Sequence, residues 1–127
     1  MIWNFDSHDA SEALSVRQDF MTALRAQSRA RIDVFAAELI FSELVGNVVR
    51  HAPGPIRVSL DFDGDDAVLE VHDEGPGFVL APTLPASLDS EGGRGLFIVA
   101  ELAKEIRVEM RNRDGVSVCA VLPEAAA

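Results

Sequence analysis

Cysteine is nearly absent. Cys119 stands alone among 127 residues, so no intramolecular disulfide forms and a Cys-rich metal site is excluded. Cations are scarce as well: 11 Lys and Arg against 21 Asp and Glu give a net charge of −10. Such a surface lacks the positive footprint of a nucleic-acid binder or a polybasic membrane-surface protein. No apolar run approaches membrane-spanning length. The start, Met1–Phe5, lacks the basic and then apolar stretches of a signal peptide. There is no repeat, no low-complexity tract and no linker long enough to divide the chain. One domain across residues 1–127 and a cytoplasmic location are therefore expected. What is present is ordinary globular composition, 48% apolar and 25% charged, with enough length for one core.

The apolar periodicities predict a definite order of elements. Trp3 and Phe5 share one side of a short first strand. Asp9 or Ser11 caps a helix to about Gln27, with Val16, Phe20, Ala23 and Leu24 on one face. A second helix starts near Asp33 and stops before Pro53-Gly54-Pro55. Ile56, Val58, Leu60 and Phe62 alternate with polar residues, and Asp63-Gly64-Asp65 turns the chain into Ala67–Asp73. Residues 78–93, rich in Pro, Ser and Gly, read as a long loop of the lid type. A helix over Gly93–Lys104 and two closing strands complete the chain. Alternating strands imply a sheet buried on one face. The expected fold class is α+β: a two-layer sandwich, its sheet mixed but mostly antiparallel, covered on one face by about three helices.

Three motifs stand out. Glu43, Asn47 and His51 are spaced i, i+4, i+8 on the second helix, beside the apolar face of Phe41, Leu44, Val45 and Val48. Such a stripe is either a solvated helix face or a metal–phosphate site. In the second reading Asn47 offers a hard carbonyl oxygen to Mg²⁺, and Glu43 orients or deprotonates a hydroxyl or water. His51 either helps place phosphates or ends the helix as a cation. The second motif is Asp73-Glu74-Gly75-Pro76-Gly77. Asp73 shares the inward face of Ala67, Leu69 and Val71, and its carboxylate can accept from an exocyclic amine. It is otherwise an ordinary Asp-Gly turn. The third is Gly92-Gly93-Arg94-Gly95-Leu96 at a helix start, which suits phosphate oxygens or a flexible N-cap. Ile98 stands where a dinucleotide fingerprint needs glycine, and no Gly-Lys-Ser/Thr exists for a Walker loop. Asp61, Asp63 and Asp65 fail as a calcium loop at Asp66 and His72. His8, His51 and His72 lie on different elements without metal-ligand spacing, and Cys119 reads as a small buried apolar residue.

The order of these motifs resembles the ATP-binding domain shared by gyrase, MutL, histidine kinases and heat-shock chaperones, the GHKL superfamily with the Bergerat fold. The N box is Glu43-Leu-Val-Gly-Asn47-Val-Val-Arg-His51, followed by Asp73-Glu-Gly75-Pro-Gly77 and Gly93-Arg94-Gly95-Leu96. Within the superfamily the chain looks most like the anti-sigma-factor serine kinases of the RsbW and SpoIIAB type, on Ser42-Glu43, Asn47 and His51-Ala52. The resemblance implies ATP and Mg²⁺ as cofactors. Glu43 would be the catalytic base for a serine or threonine hydroxyl and Asn47 the Mg²⁺ ligand. Asp73 would bind the adenine amino group, Gly75 and Gly77 would shape its pocket, and Gly93, Arg94 and Gly95, with Leu96 behind them, would hold phosphates. It implies as partners a STAS-domain anti-anti-sigma protein, a sigma factor, and a second copy in a homodimer. Two departures accompany it. The last hairpin reads Gly115-Val116-Ser117 where Gly-Thr is usual, leaving Ser117 as the adenine-side hydroxyl. Asp89-Ser90-Glu91 is acidic where a base would suit a triphosphate. A nucleotide-gated binding module without phosphotransfer, and a stand-alone histidine-kinase catalytic domain, are the alternatives.

Overall fold

The computed structural model describes residues 1–27, 31–51, 54–73, 91–110 and 115–125. The chain runs β1 (Ile2–Asp6), α1 (Ala10–Gln27), α2 (Val34–His51), β2 (Pro55–Asp63), β3 (Asp66–Asp73), α3 (Glu91–Leu102), β4 (Glu105–Met110) and β5 (Val116–Val121). Carboxylates start the first two helices. Asp9 Oδ1 accepts from the amides of Ser11 and Glu12, at 3.0 and 3.1 Å, and Asp33 Oδ1 from that of Ala36 at 3.0 Å. Each occupies amide donors that the first helical turn leaves free. The β2–β3 hairpin pairs Asp63 with Asp66 across Gly64-Asp65. Gly64 has φ +63°, a left-handed value that a tight two-residue turn demands and glycine adopts without strain.

The sheet order is β1-β2-β3-β5-β4. The expected mixed sheet needs one correction: every pairing among the described strands is antiparallel. The reason is topological. β3 and β4 are both antiparallel to β5, so they run the same way, but β5 lies between them. The crossover through α3 therefore creates no parallel ladder.

The three helices lie on one face, α1 against β1, α2 against β3 and α3 against β4. Phe20 and Phe41, fully buried, stack at 4.9 Å between α1 and α2, and Trp3 of β1 meets Phe20 edge-on at 6.4 Å. Val58, Leu69 and Ala120 are fully buried on three adjacent strands beneath them. The face without helices carries Arg57, Ser59, Glu70, His72, Ser117 and Cys119, as two-residue alternation requires. No helix among the described residues is long and apolar enough to cross a membrane.

Candidate functional site

α2 is the common neighbour of β3 and α3, and the polar stripe lies on it. Asn47 is 2% exposed. Its Oδ1 is buried, and nothing among the described residues donates to it. A carbonyl oxygen taken from water without a donor costs free energy, so the solvated-face reading of the stripe fails at Asn47. Glu43, one turn earlier on the same side, is half-buried. His51 is the last residue of α2, and its side chain lies outside the described residues.

Asp73 is the last residue of β3 and 1% exposed. It faces the helices, between its cross-strand partners Ile56 and Val116, which are 2% and 3% exposed. Gly75 and Gly77 lie outside the described residues, as does most of the expected loop. The last residues of that loop belong to α3, which begins at Glu91 rather than Gly93. Gly93, Arg94, Gly95 and Leu96 therefore fall within the first turns of α3, and the side chains of Arg94 and Leu96 lie outside the described residues.

Ser117 is not brought to this group. Strand alternation puts its side chain on the helix-free face, and the residue opposite Asp73 is Val116. The Ser117 hydroxyl instead lies 2.6 Å from His72 Nδ1. Sequence reasoning passed over His72 because it lacked metal-ligand spacing. Its signal was strand parity opposite to Asp73, but only the β3–β5 register identifies the partner. Cys119, on the same face, donates to Glu70 Oε2 at 3.2 Å. Burial, then Glu70, pushes its thiol up to about 12.

Among the described residues no three His, Cys, Asp or Glu converge as metal ligands. A cation at Asn47 would rest on one amide oxygen, phosphate oxygens and water, a donor set that suits Mg²⁺. The buried Asn47 carbonyl fits that group.

A family model described as histidine kinase-like ATPase domain matches residues 7–122. The chain belongs to this family. Signal transduction histidine-protein kinase AfsQ2 of Streptomyces coelicolor is 32% identical over 111 residues, which are 75% of this chain and 21% of that protein. The chain thus spans about a fifth of that relative's length. The NMR structure of the histidine kinase domain of the E. coli osmosensor EnvZ superposes with TM-score 0.52 at 20% identity, covering 98% of this chain and 89% of that one. Acinetobacter baumannii histidine kinase AdeS does so with TM-score 0.53 at 17% identity, covering 98% and 67%. At these identities the structural likeness is one of fold. It matches the α+β architecture, while the family match over residues 7–122 is what places the chain in the GHKL superfamily, without reaching the narrower RsbW-type group.

Proposed function

We propose that this chain binds ATP with Mg²⁺ and donates the γ-phosphoryl group to a residue on a separate protein segment, as a histidine-kinase-type catalytic domain. The observation that carries this reading is Asn47 Oδ1, buried without a donor among the described residues, one turn from Glu43. Mg²⁺, when bound, would offset phosphate charge. Asn47 would hold it, and Asp73 would accept from the adenine amine. The first turn of α3 carries free amide donors for phosphate oxygens. Glu43 would accept the proton of the attacking group as the new bond to phosphorus forms and the bond to the β-phosphate oxygen breaks, releasing ADP. Such a domain belongs in the cytoplasm, where ATP and Mg²⁺ are held.

A histidine acceptor is supported by AfsQ2, named a histidine-protein kinase. A second reading is a serine/threonine kinase that acts as an anti-sigma factor. It would phosphorylate a STAS-domain partner, sequester a sigma factor and work as a homodimer. Ser42-Glu43, Asn47 and His51-Ala52 favour it. Incubation with γ-labelled ATP, Mg²⁺ and two acceptors, a phosphoacceptor helical hairpin and a STAS protein encoded nearby, separates the two. Acid-labile, alkali-stable label on the hairpin supports the first reading, and acid-stable label on the STAS protein the second. ATP binding with no transfer to either leaves a nucleotide-gated binding module. Glu43→Gln should abolish transfer and keep ATP binding. A chain that binds no ATP overturns all three.

A further inference from the structure

We propose that His72 and Ser117 are positioning residues that brace the nucleotide site from behind, fixing the end of β3 so that Asp73 meets the base in one orientation. The inference rests on the reading that Asp73 receives an adenine nucleotide. Its basis is a pair of adjacent cross-strand rows. Asp73 and Val116 are opposite each other on the helix face, and His72 and Ser117 are opposite each other on the other face, one residue away on each strand. The His72–Asp73 peptide is shared by both rows. A tilt of the strand end that moved one side chain would move the other.

The brace is built as an interior group. His72 and Ser117 are 6% and 1% exposed, and Nδ1 and Oγ are 2.6 Å apart. A buried imidazole–hydroxyl pair is costly unless made, and once made it selects one arrangement. Apolar residues would fill the same position without that directional demand. Asp73 is the last described residue of β3, and strand ends open more easily than strand centres. The brace acts on the backbone that carries the Asp73 carboxylate. Arg57 on β2 continues the His72 row on one side and Glu109 on β4 continues it on the other.

The test is calorimetric titration of the full chain with ADP and Mg²⁺, well below the melting temperature. Losing one buried hydrogen bond should weaken ADP about fivefold in Ser117→Ala, and Ser117→Thr should restore it. Ser117→Cys, close in volume, gives the same readout where the alanine variant does not fold. Hydrogen exchange should rise at the Asp73 end of β3 and not at the Gly64 turn. A folded Ser117→Ala or Ser117→Cys chain that binds ADP like the wild type overturns the brace. A stability loss without an affinity change would show a purely structural pair and also overturn it. Asp73→Asn separates the two levels: if it leaves ADP binding intact, the nucleotide reading itself fails. If it weakens ADP while the Ser117 variants do not, only the brace fails.

Discussion

Replacing Asn47 by leucine tests whether its buried oxygen is kept for a ligand or for the fold. Asn47 is 2% exposed and its Oδ1 has no donor among the described residues. A buried carbonyl in that state costs about 1–3 kcal/mol. Leucine shares the branched outline of asparagine, with bulkier methyl ends and no such oxygen, so once the extra methyl volume is accommodated Asn47→Leu should stabilise the ligand-free chain by about 1–2 kcal/mol. For a domain of this length 1 kcal/mol corresponds to about 4 °C in Tm. The ligand-free variant should therefore melt about 4–8 °C higher than the wild type. Mg²⁺ with ATP should raise the wild-type Tm by mass action and leave the variant unmoved. Differential scanning calorimetry with and without Mg²⁺ and ATP reads both quantities. A ligand-free Tm that falls would refute the reasoning, because the oxygen would then be serving the fold. An undiminished shift with Mg²⁺ and ATP would refute it from the other side.

Three further outcomes are expected. Phe20→Ala removes a fully buried ring that stacks on Phe41 and meets Trp3. It should cost about 4 kcal/mol in urea unfolding and shift the emission of Trp3, the only tryptophan. Gly64→Ala meets no neighbouring atom but must hold φ +63°, so the loss should be about 1 kcal/mol, from backbone strain alone. Cys119, pushed up to about 12 from 9.0, should react with a thiol reagent at pH 8 on the order of a thousandfold more slowly in the folded than in the unfolded chain. Because the raised value favours the protonated thiol in the folded state, its contribution to stability is complete below pH 9.0 and is lost as pH rises toward about 12. Melting curves of wild type and Cys119→Ala should keep a constant separation below pH 9.0, and that separation should move to the disadvantage of the wild type as pH rises through the window.

Most of the architecture was legible because it rests on local signals. Asp9 and Asp33 cap where a carboxylate before an apolar periodicity should cap. Phe41, Leu44, Val45 and Val48 bury together because they share one helical face. Asn47 and Asp73 emerged as buried polar groups because their spacing placed them beside apolar residues. What depended on pairing was not legible. Ser117 is implied on the adenine side only by the resemblance of Gly115-Val116-Ser117 to a Gly-Thr hairpin. A one-residue difference in strand position reverses the face, and Val116 takes the place opposite Asp73. His72 escaped notice for the same reason, since its partner is 45 residues away in sequence. The sheet expected to be mixed has no parallel pair among its described strands, because strand order is set by long-range contacts that periodicity does not encode.

The position of β5 has a consequence for how this molecule is made. It is the last strand among the described residues, yet it occupies an interior place between β3 and β4. Until residues 116–121 are available, β4 has no neighbour in the sheet and β3 has a raw edge. During synthesis the domain must therefore wait for its final segment before the sheet can close, with three strands and an orphan exposed meanwhile. A nick or premature stop just before Val116 would leave two separated pieces of sheet rather than a slightly shortened domain. Extra sequence joined after Ala125, past the Ile32–Glu124 bridge and the hydrogen bond from the Ala125 amide to the Arg31 carbonyl, would instead leave from beside a completed sheet.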